Sequence, residues 1–254
     1  MQQAFVKEGK TEPRYHALSR PAHTEADSVG KVMDLVRTTG CKTYIVHSST
    51  AGAIEHIRKA KAEGLPVYGE TCPQYLLLED SAYEKPSIEA LKYVISPPLR
   101  KKADQQALWE GIADGTIDTL ATDHCPFNTH GQKDRGLNNF TRIPNGAGGI
   151  EFRMALLYTY GVLAKRITMQ QFVALTSSNA ARIFGLFPQK GSIEVGSDAD
   201  LVLWNPDSAS VISAQHQQQR CDSNIYEGFE IKGKAEMVIQ KGIVIYKNRT
   251  FIEN

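Results

Sequence analysis

Asp118-Thr119-Leu120-Ala121-Thr122-Asp123-His124-Cys125-Pro126-Phe127 is the stretch on which the reading of the chain turns. Its apolar pair, Leu120-Ala121, runs into Asp123-His124-Cys125, and Pro126 stops further strand pairing because it has no backbone N–H. A carboxylate placed where a buried strand opens into a loop suits a metal ligand or a proton carrier. It also suits a cap on the next turn, the commoner use of Asp. This stretch alone leaves both readings open.

Upstream, the same organisation recurs. A helix is expected from about Glu25 to Thr38, capped by Thr24 with Asp27 at the capping-box position, after a Pro-punctuated loop at Arg14 to His23. The strand Lys42 to Val46 then delivers His47, and Ser48-Ser49-Thr50 opens a helix from Ala51 to Ala62 that Gly64 ends. Leu65 to Glu70 reads as the next strand, Lys92 to Ser96 as a short strand stopped by Pro97-Pro98, and Ala103 to Ala113 as a helix. This alternation predicts an α/β fold with a parallel sheet.

Downstream, Phe127 to Asn145 is a polar loop, too long for a plain connector. Lys133 and Arg135 within it lie over the site or at a solvated loop tip. Helices follow at about Gly149 to Val162, Met169 to Leu175 and Asn179 to Phe184. From Gly191 the character changes to turns and strands: Leu201 to Trp204, then a hairpin of Met237 to Ile239 and Ile243 to Tyr246. The expected division is therefore an α/β part, 1–190, and a small all-β part, 191–254.

Bulk properties exclude several classes. With 254 residues, 41% hydrophobic and 22% charged, the composition is that of a globular protein. A net charge of +1 argues against nucleic-acid or anionic-membrane partners. Cys41, Cys72, Cys125 and Cys221 contain no C-x-x-C pair and fit free thiols in a reducing cytoplasm. No run approaches the ~18 apolar residues of a membrane span. The opening residues read like the end of a helix stopped by Gly9, as though the chain begins inside a fold.

His47 and Asp123 both end apolar strands. In parallel α/β folds the carboxyl ends of strands face the ligand crevice, so the two can meet, and His with Asp suits zinc. A satisfied structural histidine is the competing reading of His47. His124 reads as a supporting or packing residue, His56 as solvated, and Trp109 and Trp204 as core or interface.

Several runs together resemble the D-hydantoinase/dihydropyrimidinase (phenylhydantoinase) branch of the amidohydrolases. They are Tyr44-Ile45-Val46-His47-Ser48-Ser49, Gly69-Glu70-Thr71-Cys72-Pro73-Gln74-Tyr75-Leu76, Ser96-Pro97-Pro98-Leu99-Arg100, Thr122 to Phe127 and Ile143-Pro144-Asn145-Gly146. The tail continues the match through Asn179 to Leu186 and Gly196 to Val202. The resemblance implies a (β/α)8 TIM-like barrel, a small β-sandwich segment, and two divalent metals, normally zinc. It implies ring opening of a cyclic ureide or imide to an N-carbamoyl amino acid, in a homo-oligomer, tetramer or dimer. His47 matches a metal ligand. Asp123 matches both a ligand and the group that carries the proton, while Ser96 and Asn145 match positions whose backbone holds the substrate amide.

The family's His-x-His pair, its carboxylated lysine and a further His have no counterpart among the seven histidines and their surroundings. The chain therefore reads as a C-terminal portion with roughly three of eight barrel strands, an incomplete metal site, and no hydrolysis of its own. The alternative is a non-catalytic dihydropyrimidinase-related protein acting by association. Such proteins lose metal ligands, so retention of both His47 and Asp123 favours an enzyme.

Overall fold

The structure, a computed structural model, describes residues 1–252, and the chain divides into two compact units. The first comprises Met1–Glu151 and Ile212–Gly228. Short helices α1 (Gln2–Lys7) and α2 (Arg14–Leu18) lead into α3 (Ala22–Thr39), whose Val29, Met33 and Val36 recur at helical spacing and are buried. Strand β1 (Thr43–Ile45), helix α4 (Ala51–Ala62) and strand β2 (Val67–Thr71) follow, then α5 (Pro73–Leu77), α6 (Ser87–Ala90), α7 (Lys102–Ala113) and β3 (Thr119–Leu120).

The three strands pair in parallel in the order β1-β2-β3, with Thr43 opposite Val67 and Glu70 opposite Thr119. Strand side chains alternate, so Ile45 and Val67 turn to one face, where Val29, Met33, Val36, Ala53, Ile57 and Ala60 cover them. Burial of each large aliphatic side chain contributes roughly 1.5–3 kcal/mol. On the opposite face the Tyr44 hydroxyl donates to Glu70 Oε2 at 2.7 Å and also meets Thr119 Oγ1, which ties all three strands together.

Two local expectations fail for identifiable reasons. Helix α3 starts behind Pro21 rather than Thr24, whose hydroxyl donates back to the Pro21 carbonyl from inside the first turn. Lys92 to Ser96 is not a strand. It is a 3₁₀ turn (Leu91–Tyr93) leading to a cis Ser96–Pro97 bond, and side chains rather than a neighbouring strand take its carbonyls.

The second unit comprises Phe152–Val211 and the chain from Phe229 onward. Helix α8 (Arg153–Leu157) widens into a π-helical turn at Tyr158–Leu163. Helix α9 (Met169–Val173), begun by a Thr168/Gln171 capping box, passes through a second π turn into α10 (Asn179–Ile183). Strands β4 (Leu201–Val211), β5 (Glu230–Gln240), β6 (Ile243–Lys247) and β7 (Thr250–Phe251) form one antiparallel sheet in sequence order.

The expected β-sandwich is corrected here. The described strands of this unit make a single sheet, and Tyr158 and Phe172 from the helical part pack their rings on Trp204 of β4 at 5.7 and 6.0 Å. These aromatics cover Trp204, whereas Val202, Leu203 and Val211 of the same strand stay exposed. The compositional boundary near residue 190 marks where helices give way to strands, but the compact units do not break there. Of the part expected at 191–254, residues 253 and 254 lie outside the described residues. Among the described residues no helix is long and apolar enough to cross a membrane.

Gly233 in β5 has φ +86°, and a Cβ there would stand 2.5 Å from the Trp204 ring and 2.6 Å from Tyr158. Gly242 is also left-handed, at φ +81°, but faces open space. Gly242→Ala should therefore lose only backbone strain, about 1–2 kcal/mol. Gly233→Ala should lose a further 1–3 kcal/mol or so from overpacking. Urea unfolding of the two variants checks this, and equal losses would contradict the packing described.

Candidate active site

His47 lies two residues past β1 and Asp123 three past β3, so both sit at the carboxyl end of the same parallel sheet, on either side of β2. Two strand spacings separate β1 from β3 by about 10 Å. Both residues have left-handed backbone, φ 40° at His47 and 48° at Asp123. They are the only non-glycine residues with positive φ among the described residues of the first unit. That conformation costs roughly 1–3 kcal/mol at a residue with a side chain and is concentrated at functional sites. At His47 it is held from outside, because the backbone N–H donates to Glu70 Oε1 at 3.2 Å.

Hydrogen bonds bring the other two expected residues into the same set of loops. His124 forms a parallel bridge with Ala147, and the Cys125 N–H donates to the Ala147 carbonyl at 3.0 Å. Asn145 is thereby fixed beside the Asp123 loop. The next residue, Gly146, donates to the Val94 carbonyl at 3.0 Å, which fixes the same turn beside Ser96. Gly146 has φ +152°, and a Cβ there would lie 2.3 Å from the Cys125 carbonyl, so only glycine permits this approach. Ser96 and Asn145 are both exposed, whereas Val94, Ile95 and Gly146 beside them are buried.

The loop after β1 is tied to the Ser96 segment by a buried ion pair. Arg100 donates through Nε to Ser49 Oγ (3.0 Å), through Nη1 to the Arg20 carbonyl (2.6 Å) and through Nη2 to Glu25 Oε2 (3.2 Å). Glu25 also accepts from the Ser49 backbone, the Ser49 hydroxyl and Thr50 Oγ1. Glu25 therefore serves the entrance to α4, where carboxylates are favoured by the helix dipole.

Sequence reasoning missed Glu70, Arg100, Glu25 and His16 as site-building residues. His16 is 1% exposed; its Nε2–H donates to the Ile95 carbonyl at 2.7 Å and its Nδ1 accepts from Arg20 at 3.0 Å. Burial, reinforced by Arg20, holds its pKa down to about 3. No local motif marks such residues, because their partners lie far along the chain. His124 Nδ1 accepts from the Gly149 and Ile150 N–H groups. Lys133, expected over the site or at a loop tip, is 1% exposed instead.

The donor types at His47 and Asp123 suit a divalent cation, but their number does not. Among the described residues no group of three or more His, Cys, Asp or Glu side chains is placed to hold a metal ion. These residues alone do not make a metal centre.

The strand-end pair, the strained backbones and the interlocked loops define a candidate site at the carboxyl end of a parallel sheet. The amidohydrolase family model matches residues 15–244, and the chain belongs to that family. It is 44% identical, over 97% of its length, to a D-hydantoinase of Geobacillus stearothermophilus, and covers 52% of that relative. The crystal structure of a dihydropyrimidinase from Brevibacillus agri matches 99% of the chain at TM-score 0.97 and 43% identity, with 54% of that structure covered. A D-hydantoinase from Thermus sp. matches at TM-score 0.96 and 45% identity over 100% of the chain and 55% of that structure. The chain thus spans about half the length of the relatives it matches.

These matches correct two expectations. The recognition as a C-terminal portion is replaced by what the matches show, family membership carried by similarity along 97–99% of the chain. The fold class of a C-terminal barrel remnant falls with it, since the superposition extends over the same length and the chain is amidohydrolase fold throughout.

Removing Arg100 would leave Glu25 buried without its counter-charge. Arg100→Ala should lower unfolding free energy by about 3–5 kcal/mol, against under about 1 kcal/mol for Arg37→Ala in an exposed pair with Glu63. Similar losses in urea titrations of the two variants would refute a buried role. For His16 the folded state favours the neutral ring. Its contribution is complete above the unfolded pKa near 6.5 and is lost as pH falls toward about 3. NMR of the imidazole signals at pH 5 should find His16 neutral; a His16 midpoint near 6.5 would contradict the burial.

Proposed function

We propose that the chain carries out the chemistry of a cyclic-amide hydrolase, opening a hydantoin or dihydropyrimidine ring to the N-carbamoyl amino acid. The observation that carries this reading is the placement of His47 and Asp123, each with left-handed backbone, at the carboxyl end of one parallel sheet. Strain of this kind persists only where the surroundings over-determine it. Identity above 40% to D-hydantoinases supports the choice of reaction.

In this reading the exposed backbone turns at Ser96 and Asn145 grip the amide edge of the ring. A water oxygen forms a bond to the ring carbonyl carbon, and Asp123 takes the proton that this water releases. The ring C–N bond then breaks, and Asp123 returns the proton to the departing nitrogen, so one carboxylate serves as base and then as acid. Backbone contacts to the amide are indifferent to the ring substituent, which leaves selectivity to other walls of the pocket.

Metal dependence is part of the proposal, with His47 and Asp123 as ligands and zinc as the cation suited to imidazole and carboxylate. Two cations were the expectation from resemblance. His47 and Asp123 are the two donors this chain would offer, and the proton steps above belong to Asp123. The substrate is a small cyclic ureide or imide, and the active form a homo-oligomer.

Ring opening of hydantoin and dihydrouracil, followed by loss of ring absorbance, tests the proposal. Asp123→Asn should reduce kcat by about 10³-fold or more. Chelation should abolish turnover, and added zinc should restore it. Activity of Asp123→Asn within tenfold of the unaltered chain, or no ring opening by the latter, would count against the assignment.

A further inference from the structure

Lys133 stands in the long loop after Asp123, yet its amine is buried against carbonyls rather than carboxylates. Nζ donates to the Val94 carbonyl at 2.7 Å and to the Lys92 carbonyl at 3.4 Å. Burial holds its pKa down to about 7, and only Cys125 pulls in the other direction. An apolar side chain of similar length would fill the space without the desolvation cost of an amine. Stability therefore does not account for a lysine here; the geometry it imposes does.

The Val94 carbonyl has two lone pairs, and both are used. One receives Lys133 and the other the Gly146 N–H at 3.0 Å. A single oxygen is thus the meeting point of the Ser96 segment, the Asn145-Gly146 turn and the long loop. The neighbouring carbonyls are also held: Tyr93 by the Tyr83 hydroxyl (3.2 Å), Ile95 by His16 (2.7 Å) and Pro97 by the Tyr75 hydroxyl (3.0 Å). Within this clamped run the exposed residue is Ser96.

We propose that Lys133 is a positioning residue for the cyclic-amide substrate: by holding the Lys92 and Val94 carbonyls it sets the separation of the Ser96 and Asn145 turns. It governs affinity for the ring amide and not the rate of bond breaking. This rests on the proposed function, since those two turns are there assigned to the amide edge. A residue in this place donates to the same oxygen that Gly146 shares.

The test uses the full chain with Lys133→Met, which keeps length and removes donors, and Lys133→Arg, which restores them. Amide exchange by NMR should show Gly146 exchanging at least tenfold faster in Lys133→Met, with the β2 amides within twofold of the unaltered chain. Lys133→Arg should return Gly146 to within threefold. In ring opening, Lys133→Met should raise KM at least fivefold with kcat within twofold. Unchanged Gly146 exchange, uniform acceleration across β2, no rescue by arginine, or a loss confined to kcat would each overturn the proposal. Should Lys133→Met fail to fold, the unaltered chain decides: a hydrogen-bond scalar coupling between Lys133 ¹⁵Nζ and the Val94 ¹³C carbonyl is expected, and its absence sinks the clamp. Exchange is read without substrate, so an unaltered chain that opens no ring defeats the functional reading separately from the clamp.

Discussion

The Arg100 guanidinium is buried among three segments that reach it from different parts of the chain, and it satisfies each with a separate N–H donor. Ser49 belongs to the entrance of α4, Arg20 to the turn before α3, and Glu25 to the first turn of α3 itself. A charge with 8% side-chain exposure cannot be abandoned by its partners without a large desolvation penalty. The loop that carries His47 and the segment that carries Ser96 are therefore held in one arrangement.

On this framework the strained residues become affordable. Left-handed backbone at His47 is opposed by the Glu70 carboxylate, which also accepts from Tyr44 and so ties the strain to the sheet itself. At Asp123 the support comes from the following residues, which bridge to Ala147 and close on Gly146. Loops that would ordinarily be mobile are thus fixed by groups belonging to the strands and to buried polar side chains. The amine of Lys133 and the imidazole of His16 extend the same principle to the turn before Pro97, where carbonyl oxygens are held from several directions.

The legible parts of the chain were those governed by local rules. Helix α4 was bounded to the residue, because Thr50 accepts from the Ala53 N–H at one end and Gly64 follows the other. The strands ending before His47 and Asp123 were recognised from β-branched and apolar runs closed by polar residues. Reading failed where a local signal was overridden. Lys92 to Ser96 has the composition of a strand, but Tyr83, Lys133 and His16 claim its carbonyls before any strand does. The segment from Gly191 has the turns of a sandwich, but Trp204 is covered by Tyr158 and Phe172 from helices.

The sequence by itself determined the alternation of strands and helices, the placement of His47 and Asp123 at strand ends, and membership of the candidate residues in recurring runs. Periodicity, caps and proline act over a few residues, so those features are written in short stretches. Only the tertiary structure decided that Glu25 faces Arg100 across 75 residues, that Lys133 is buried, and that the Ser96 and Asn145 turns share one carbonyl oxygen. Burial of a charge and the partner it then requires depend on what packs above it, and distant segments supply that cover.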